Sequence, residues 1–393
     1  MLAAGGIIAR LSQRFLTAVF CLAACFAITA DAAEAVAPAP VPPPVLAAKA
    51  YFLLDVLSGQ TLVAQNADEP REPASLTKLM TAYLVFRALK DKELLPSQMV
   101  TVSSNAWRAE GSRMFIEPKK AVSVDELLHG VIVQSGNDAA IALAETIAGS
   151  EQAFVERMNK EAARLAMKNT RFATATGLPA PQQVSTASDL ALLASAIIRD
   201  FPEYYPLYSI KEYRYNNITQ PNRNRLLWSD PYVDGMKTGN TDAAGYCLVA
   251  SAKRGPRRLL SVMLGAGSDA ARASESQKLL NYGFQFYDTV QMYQNGQTVN
   301  TLRVWKGASE NVAAGFVADQ YLTLPKGQAQ KLKLSMEAVE PLIAPVALGQ
   351  RVGTVRVTLD GKVVGEYPLQ ALGEVPQASF WVRSWDTARL WFK

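Results

Sequence analysis

One histidine, His129, occurs in 393 residues. That scarcity excludes a Ser-His-Asp triad on any other histidine and a histidine-rich metal site; His129 itself falls in a run that reads as a packed helix, a structural setting. Cysteine is nearly as rare. Cys21 and Cys25 lie in the first 32 residues, which leaves Cys247 alone in the remainder, with no partner there for an intramolecular disulfide. A strong charge of one sign is also missing. The net charge of +5 becomes +4 without Arg10, Arg14 and Asp31, too mild a balance to imply nucleic acid. The apolar run at 15–28 is fourteen residues long, short of the about 20 that a membrane-spanning helix needs. No repeat of fixed period is visible, and no cofactor is expected.

What is present is a chain that can fold. Hydrophobic residues make up 49% and charged residues 19%, enough for two domains with separate cores. Arg10 and Arg14 precede the apolar run, and Ala30-Asp31-Ala32 follows it as a small-x-small site, so 1–32 reads as a secretory signal peptide. Pro38, Pro40, Pro42, Pro43 and Pro44 make 33–47 an extended spacer. A first domain is expected over 48–290. It opens with a β-hairpin (51–57 and 61–64, around Ser58-Gly59-Gln60), and a buried helix follows Pro73-Ala74-Ser75-Leu76-Thr77-Lys78. Ser123-x-x-Glu126 is a capping box for a helix ending near Gln134, and 139–148 forms a second helix stopped by Gly149. Further helices are expected over 186–198 and 279–287, an aromatic loop between Tyr204 and Tyr215, and paired strands at 246–252 and 259–265. From 291 to 378 short alternating runs, with Asp360-Gly361 as a hairpin turn, predict a small all-β domain.

The last segment, 379–393, carries Trp381, Trp385 and Phe392 on one helical face, with Phe380 and Trp391 at its edge and Arg383, Asp386, Arg389 and Lys393 opposite. Such a helix suits a membrane interface; a terminal helix docked on the protein body is the plainer alternative.

Three short motifs carry the chemistry. Ser75 and Lys78, three apart on a helix, share a face, so an amine can take the hydroxyl proton of a potential nucleophile. Taken alone, the pair is more often a solvated helix start. Ser135-Gly136-Asn137 sits on a break between two buried helices that can aim polar side chains into a cleft. Lys237-Thr238-Gly239 precedes the paired strands.

In this order the three motifs, with Asp138-Ala139, Asn222-Arg223-Asn224, Leu226-Leu227-Trp228 and Asp234-Gly235-Met236, resemble the low-molecular-mass penicillin-binding proteins that are D-alanyl-D-alanine carboxypeptidases. The resemblance runs from about Ala48 to the C-terminus. It implies an α/β (α+β type) serine β-lactamase/transpeptidase-like catalytic domain with an antiparallel sheet and helices, then a small β-sandwich and the amphipathic helix. It implies that Ser75 is the nucleophile, Lys78 the general base and Ser135 a proton relay. Asn137, Lys237, Thr238, Gly239, Asn240 and Arg272 would bind substrate, with backbone N–H groups of Ser75 and Asn240 as the oxyanion hole. Asn240 stands where the family often has His. Expected partners are the pentapeptide stem of peptidoglycan, β-lactams as covalent inhibitors, and a membrane surface through Ser379 to Lys393, with a periplasmic location on the outer face of the inner membrane. A serine β-lactamase, an endopeptidase acting on D-alanyl cross-links and a catalytically silent wall-binding relative are the alternatives.

Overall fold

The structure, a computed structural model, describes residues 41–392. The expected signal peptide, the spacer as far as residue 40, and Lys393 lie outside the described residues. The end of the spacer is packed rather than free: Leu46 is buried, Ala47 N donates to Glu275 Oε2 and Tyr282 Oη donates to Val41 O.

Strand alternation sets the layers. Five antiparallel strands form one sheet in the order Thr61–Gln65, Ala50–Asp55, Arg257–Ala266, Gly245–Arg254, Val233–Thr241. Leu54, Leu260 and Val262 belong to one apolar cluster, while their neighbours Leu53, Leu259 and Met263 belong to another. The first is shared with the helices Lys78–Lys90, Asn137–Ala148 and Ala187–Asp200; the second takes Leu279 and Leu280 of the helix Asp269–Phe286. The sheet is therefore covered on both faces. The helix Lys78–Lys90 is central: only Arg87 and Lys90 escape full burial. Val233–Thr241 is an edge strand, and the 3-10 turn Ala74–Thr77 packs beside it.

The capping box forms in full, with Ser123 Oγ accepting from Glu126 N and Glu126 Oε2 accepting from Ser123 N. The helix it starts, Val124–His129, continues into a π-helical turn, Gly130–Gln134. Gly149 closes Asn137–Ala148 with φ +79. Three expectations change. A helix at Glu151–Arg164 has no counterpart in the sequence reading, since Phe154 and Met158 are the only large apolar residues among its buried ones. The aromatic stretch is a 3-10 turn, Tyr205–Ser209, and a hairpin of Glu212–Tyr215 with Ile218–Pro221; Tyr205, Tyr208 and Tyr215 are core residues. The helix expected over 279–287 begins ten residues earlier, at Asp269, capped by Ser268, because its first half is too rich in small and polar side chains to show an apolar stripe. It ends at Phe286, and Tyr287 opens a strand.

Residues beyond it are built of strands. A six-stranded sheet runs in the order Leu332–Ala338, Arg351–Leu359, Lys362–Ala371, Asn311–Gly315, Thr298–Trp305, Leu342–Ile343, and Tyr287–Tyr293 pairs with Gln320–Pro325. Leu322 and Leu324 of the pair pack on Val357 of the larger sheet. Asp360 and Gly361, with φ +48 and +79, make the tight turn that their types favour. A polar clamp joins this region to the first sheet: Asp55 Oδ2 accepts from Arg257 Nε (2.8 Å) and Thr289 Oγ1 (2.5 Å), and Gln60 Oε1 accepts from Thr323 N (2.5 Å). The helix Phe380–Leu390 follows, and Asp386 Oδ2 accepts from Lys306 N.

Candidate active site

The 3-10 turn delivers Ser75 to the end of the central helix because the backbone around it is tightly backed. Ala74 has φ +46, and a Cβ on Gly177 would lie 1.9 Å from Ala74 O, so only glycine fits behind the turn that carries Ser75. Lys78 then points inward from the first helical turn and is 1% exposed. Its Nζ lies 3.0 Å from Ser75 Oγ, 2.6 Å from Asn137 Oδ1 and 2.6 Å from Thr176 O. Asn137 is oriented by its other end, Nδ2 donating to Glu110 O at 2.6 Å, which fixes its oxygen toward the lysine. Burial, then the charge of Arg223, lowers the Lys78 amine to about 7, with Asp138 opposing. A neutral amine has two N–H groups and one lone pair. Asn137 Oδ1 and Thr176 O can only accept, so they take the two N–H groups and leave the lone pair for the Ser75 proton.

Ser135 follows the π-helical turn with φ +64, a rare setting for a residue with a side chain, and its buried Oγ has no hydrogen-bond partner. Gly136 beside it is required by space: a Cβ would meet Asp138 Oδ1 at 2.9 Å. Asp138 is wholly buried, and its carboxylate accepts from Met114 N (2.9 Å), Phe115 N (2.8 Å), Ile116 N (3.2 Å) and Ala139 N (2.9 Å). It thus ties the 110–116 loop, which supplies Glu110 O and Ser112 to the site, to the helix that carries Asn137.

The edge strand forms the other wall. A Cβ on Gly239 would lie 3.1 Å from Pro73 O and 3.2 Å from Ser75 N, so its lack of a side chain lets the strand touch the turn that carries Ser75. Lys237 and Thr238 are buried; Lys237 Nζ donates to Thr238 O at 3.0 Å. Burial first, then the charges of Lys78, Arg223 and Arg272, push the Lys237 amine well down. Arg272 is 6% exposed rather than a surface residue, and its Nη1 donates to Gly239 O (3.0 Å) and Cys247 O (3.4 Å).

Ser75, Ser135, Thr238, Gly239, Asn240 and Arg272 line one cleft of about 390 Å³. Lys78 and Asn137 reach it through the hydrogen bonds above. Arg223, the middle residue of Asn222-Arg223-Asn224, lines the same cleft, a place that its local sequence does not signal. Its neighbours show why the motif holds it: Asn222 Nδ2 donates to Ile210 O and Asn224 Nδ2 to Gly235 O, both within the fold. The carbonyl of Thr176 had no signal in the sequence, since a backbone acceptor carries none. Among the described residues no group of three or more His, Cys, Asp or Glu could hold a metal ion.

Comparison with known proteins identifies the family. A family model described as D-alanyl-D-alanine carboxypeptidase matches residues 36–268, and one described as penicillin-binding protein 5, C-terminal domain, matches 287–377. The chain is 47% identical over 375 residues to the D-alanyl-D-alanine carboxypeptidase DacC of Escherichia coli K12, covering 93% of each chain. It superimposes on penicillin-binding protein 5 of Haemophilus influenzae with a TM-score of 0.83 and 44% identity, covering 86% of this chain and 100% of that one. Penicillin-binding protein D2 of Listeria monocytogenes, solved with ampicillin bound, matches at 0.58 and 35% identity over 62% of this chain and 99% of that one. On these matches, over both the sheet-and-helix region and the strands that follow it, the chain belongs to the D-alanyl-D-alanine carboxypeptidase family of serine peptidases.

Proposed function

We propose that the cleft removes the terminal D-alanine from peptidoglycan pentapeptides through an acyl-enzyme on Ser75. The observation that carries this reading is the buried Lys78 amine, 3.0 Å from Ser75 Oγ and lowered to about 7. Ser75 Oγ attacks the carbonyl carbon of the penultimate D-alanine as its proton passes to Lys78. The oxyanion faces the backbone N–H groups of Ser75 and Asn240. The C–N bond then breaks, and the leaving amine takes the proton from Lys78 by way of Ser135. Water, deprotonated by the same lysine, attacks the ester and releases the shortened peptide. Lys237, Thr238 and Arg272 receive the carboxylate of the departing residue, and an incoming anion raises the Lys237 amine back toward its charged form. The substrate backbone lies along the edge strand, which has a free side. A β-lactam enters as the same acyl donor and stays on Ser75, as the ampicillin-bound Listeria relative supports.

The residues 48–290 form the catalytic domain on this reading, 291–378 a β-domain, and 379–393 the contact with the outer face of the inner membrane in a Gram-negative periplasm. No described helix is long and apolar enough to cross a membrane. The terminal helix supports interfacial contact instead. Trp381, Trp385, Trp391 and Phe392 are 67–93% exposed, whereas Arg383, Asp386 and Leu390 are partly covered.

The test is incubation with a muropeptide pentapeptide and a cross-linked dimer, following free D-alanine and monomer by mass spectrometry. D-alanine from the first only, abolished in Ser75→Ala, is the expected result. Unchanged release by Ser75→Ala would sink the proposed nucleophile, and monomer from the dimer would make the chain an endopeptidase as well.

A further inference from the structure

Beside the carboxylate site runs a chain of ion pairs that the reaction above does not use. Asp269 opens the helix Asp269–Phe286; its Oδ1 accepts from Arg272 Nη2, and its Oδ2 pairs with Arg225 Nε. All three side chains line the cleft that holds Ser75 and Thr238. The two arginines differ in freedom. Arg272 has a side chain 7% exposed, with Nη1 committed to the carbonyls of Gly239 and Cys247. Arg225 is 66% exposed and is the residue that precedes the short helix Leu226–Ser229. A carboxylate of the protein therefore already sits on the guanidinium that is read as a contact for the substrate's terminal carboxylate. Two carboxylates on one guanidinium repel, so the resident opposes an incoming one.

We propose that Asp269 is an internal competitor for the substrate's terminal carboxylate and that Arg225 is the cation that retains it when it leaves Arg272. As substrate docks, Asp269 releases Arg272 and stays paired with Arg225 alone. The inference rests on the reading of Arg272 as a carboxylate contact. Asp269 and Arg225 then act on substrate binding, through Arg272, and leave the Ser75–Lys78 chemistry untouched.

Steady-state kinetics of the full chain with an N-acetylated L-lysyl-D-alanyl-D-alanine tripeptide tests this. Asp269→Asn lowers KM by about two- to fivefold, the size of a partly exposed ion pair, with kcat unchanged. Asp269→Ser, which keeps a residue suited to a helix start, gives the same fall. Arg225→Gln raises KM in the native background, where Asp269 is left with Arg272 alone, and has no effect in the Asp269→Asn background. That last comparison excludes simple loss of an attracting cation, which would raise KM in both. A KM that rises or stays constant in both Asp269 variants overturns the proposal, because Asp269 then merely holds Arg272 in place or plays no part. An unchanged KM in Arg272→Gln instead removes the reading of Arg272 on which the proposal stands.

Discussion

Lys78 shows how a residue acquires its chemistry from its surroundings. The side chain that is charged in water is lowered to about 7 here, first by burial and then by Arg223. A general base works only when neutral, so on the proposed role of Lys78 the sign is fixed: acylation is expected to be slow below about pH 7 and to rise as pH passes through it. The expected kcat/KM profile for the tripeptide has a rising limb centred near 7. A limb centred above pH 9 would mean that the resting amine is charged and that the proton goes elsewhere. Lys237 is subject to the same burial, yet its proposed task requires charge, which a bound substrate anion would favour. On the proposed roles the two lysines differ in what they offer: Lys78 a lone pair held 3.0 Å from Ser75 Oγ, Lys237 a charge regained from an arriving anion.

At the scale of elements, the middle motif is a joint as much as a set of reactive groups. Asp138 gathers three backbone N–H groups of the 114–116 loop and one of its own helix. Asp138→Asn keeps the size but loses charge and one acceptor oxygen, at a cost of about 1–3 kcal/mol in stability. Because Asp138 raises the Lys78 amine, its loss also moves the rising limb of the pH profile to lower pH. Chemical denaturation and the pH profile check the two effects separately, and a limb displaced upward would contradict the electrostatics. This double role is poorly legible in sequence. The capping box at Ser123, the hairpin turn at Asp360-Gly361 and the helix stop at Gly149 were readable because each is local chemistry within a few residues. The three active-site motifs were readable through resemblance, but the bonds that join them span 59 residues for Lys78 to Asn137 and 98 for Lys78 to Thr176. Glu151–Arg164 escaped notice because a helix needs only a narrow apolar stripe when a core already exists to receive it.

The molecule as a whole relates the cleft to its terminal helix. Truncation after Gln377 is expected to leave carboxypeptidase activity in solution and to abolish co-sedimentation with vesicles of anionic phospholipid; retained sedimentation would place the membrane contact elsewhere. Asp386 receives the Lys306 N–H, and the partly covered face of the helix turns its tryptophans outward, so the aromatic surface has a set direction relative to the strands beneath it. The clamp of Asp55 with Arg257 and Thr289 continues that rigidity to the sheet whose edge lines the cleft. Arg257 Nη1 adds bonds to the carbonyls of Gly283 (3.0 Å) and Tyr287 (2.6 Å), on either side of the passage from helix to strand. Were the helix to rest on a bilayer as proposed, such a body would behave as a ruler instead of a tether. On the proposed membrane contact it would sweep a plane at one height, and the stems it trims would be chosen by their distance from the lipid as well as by their sequence.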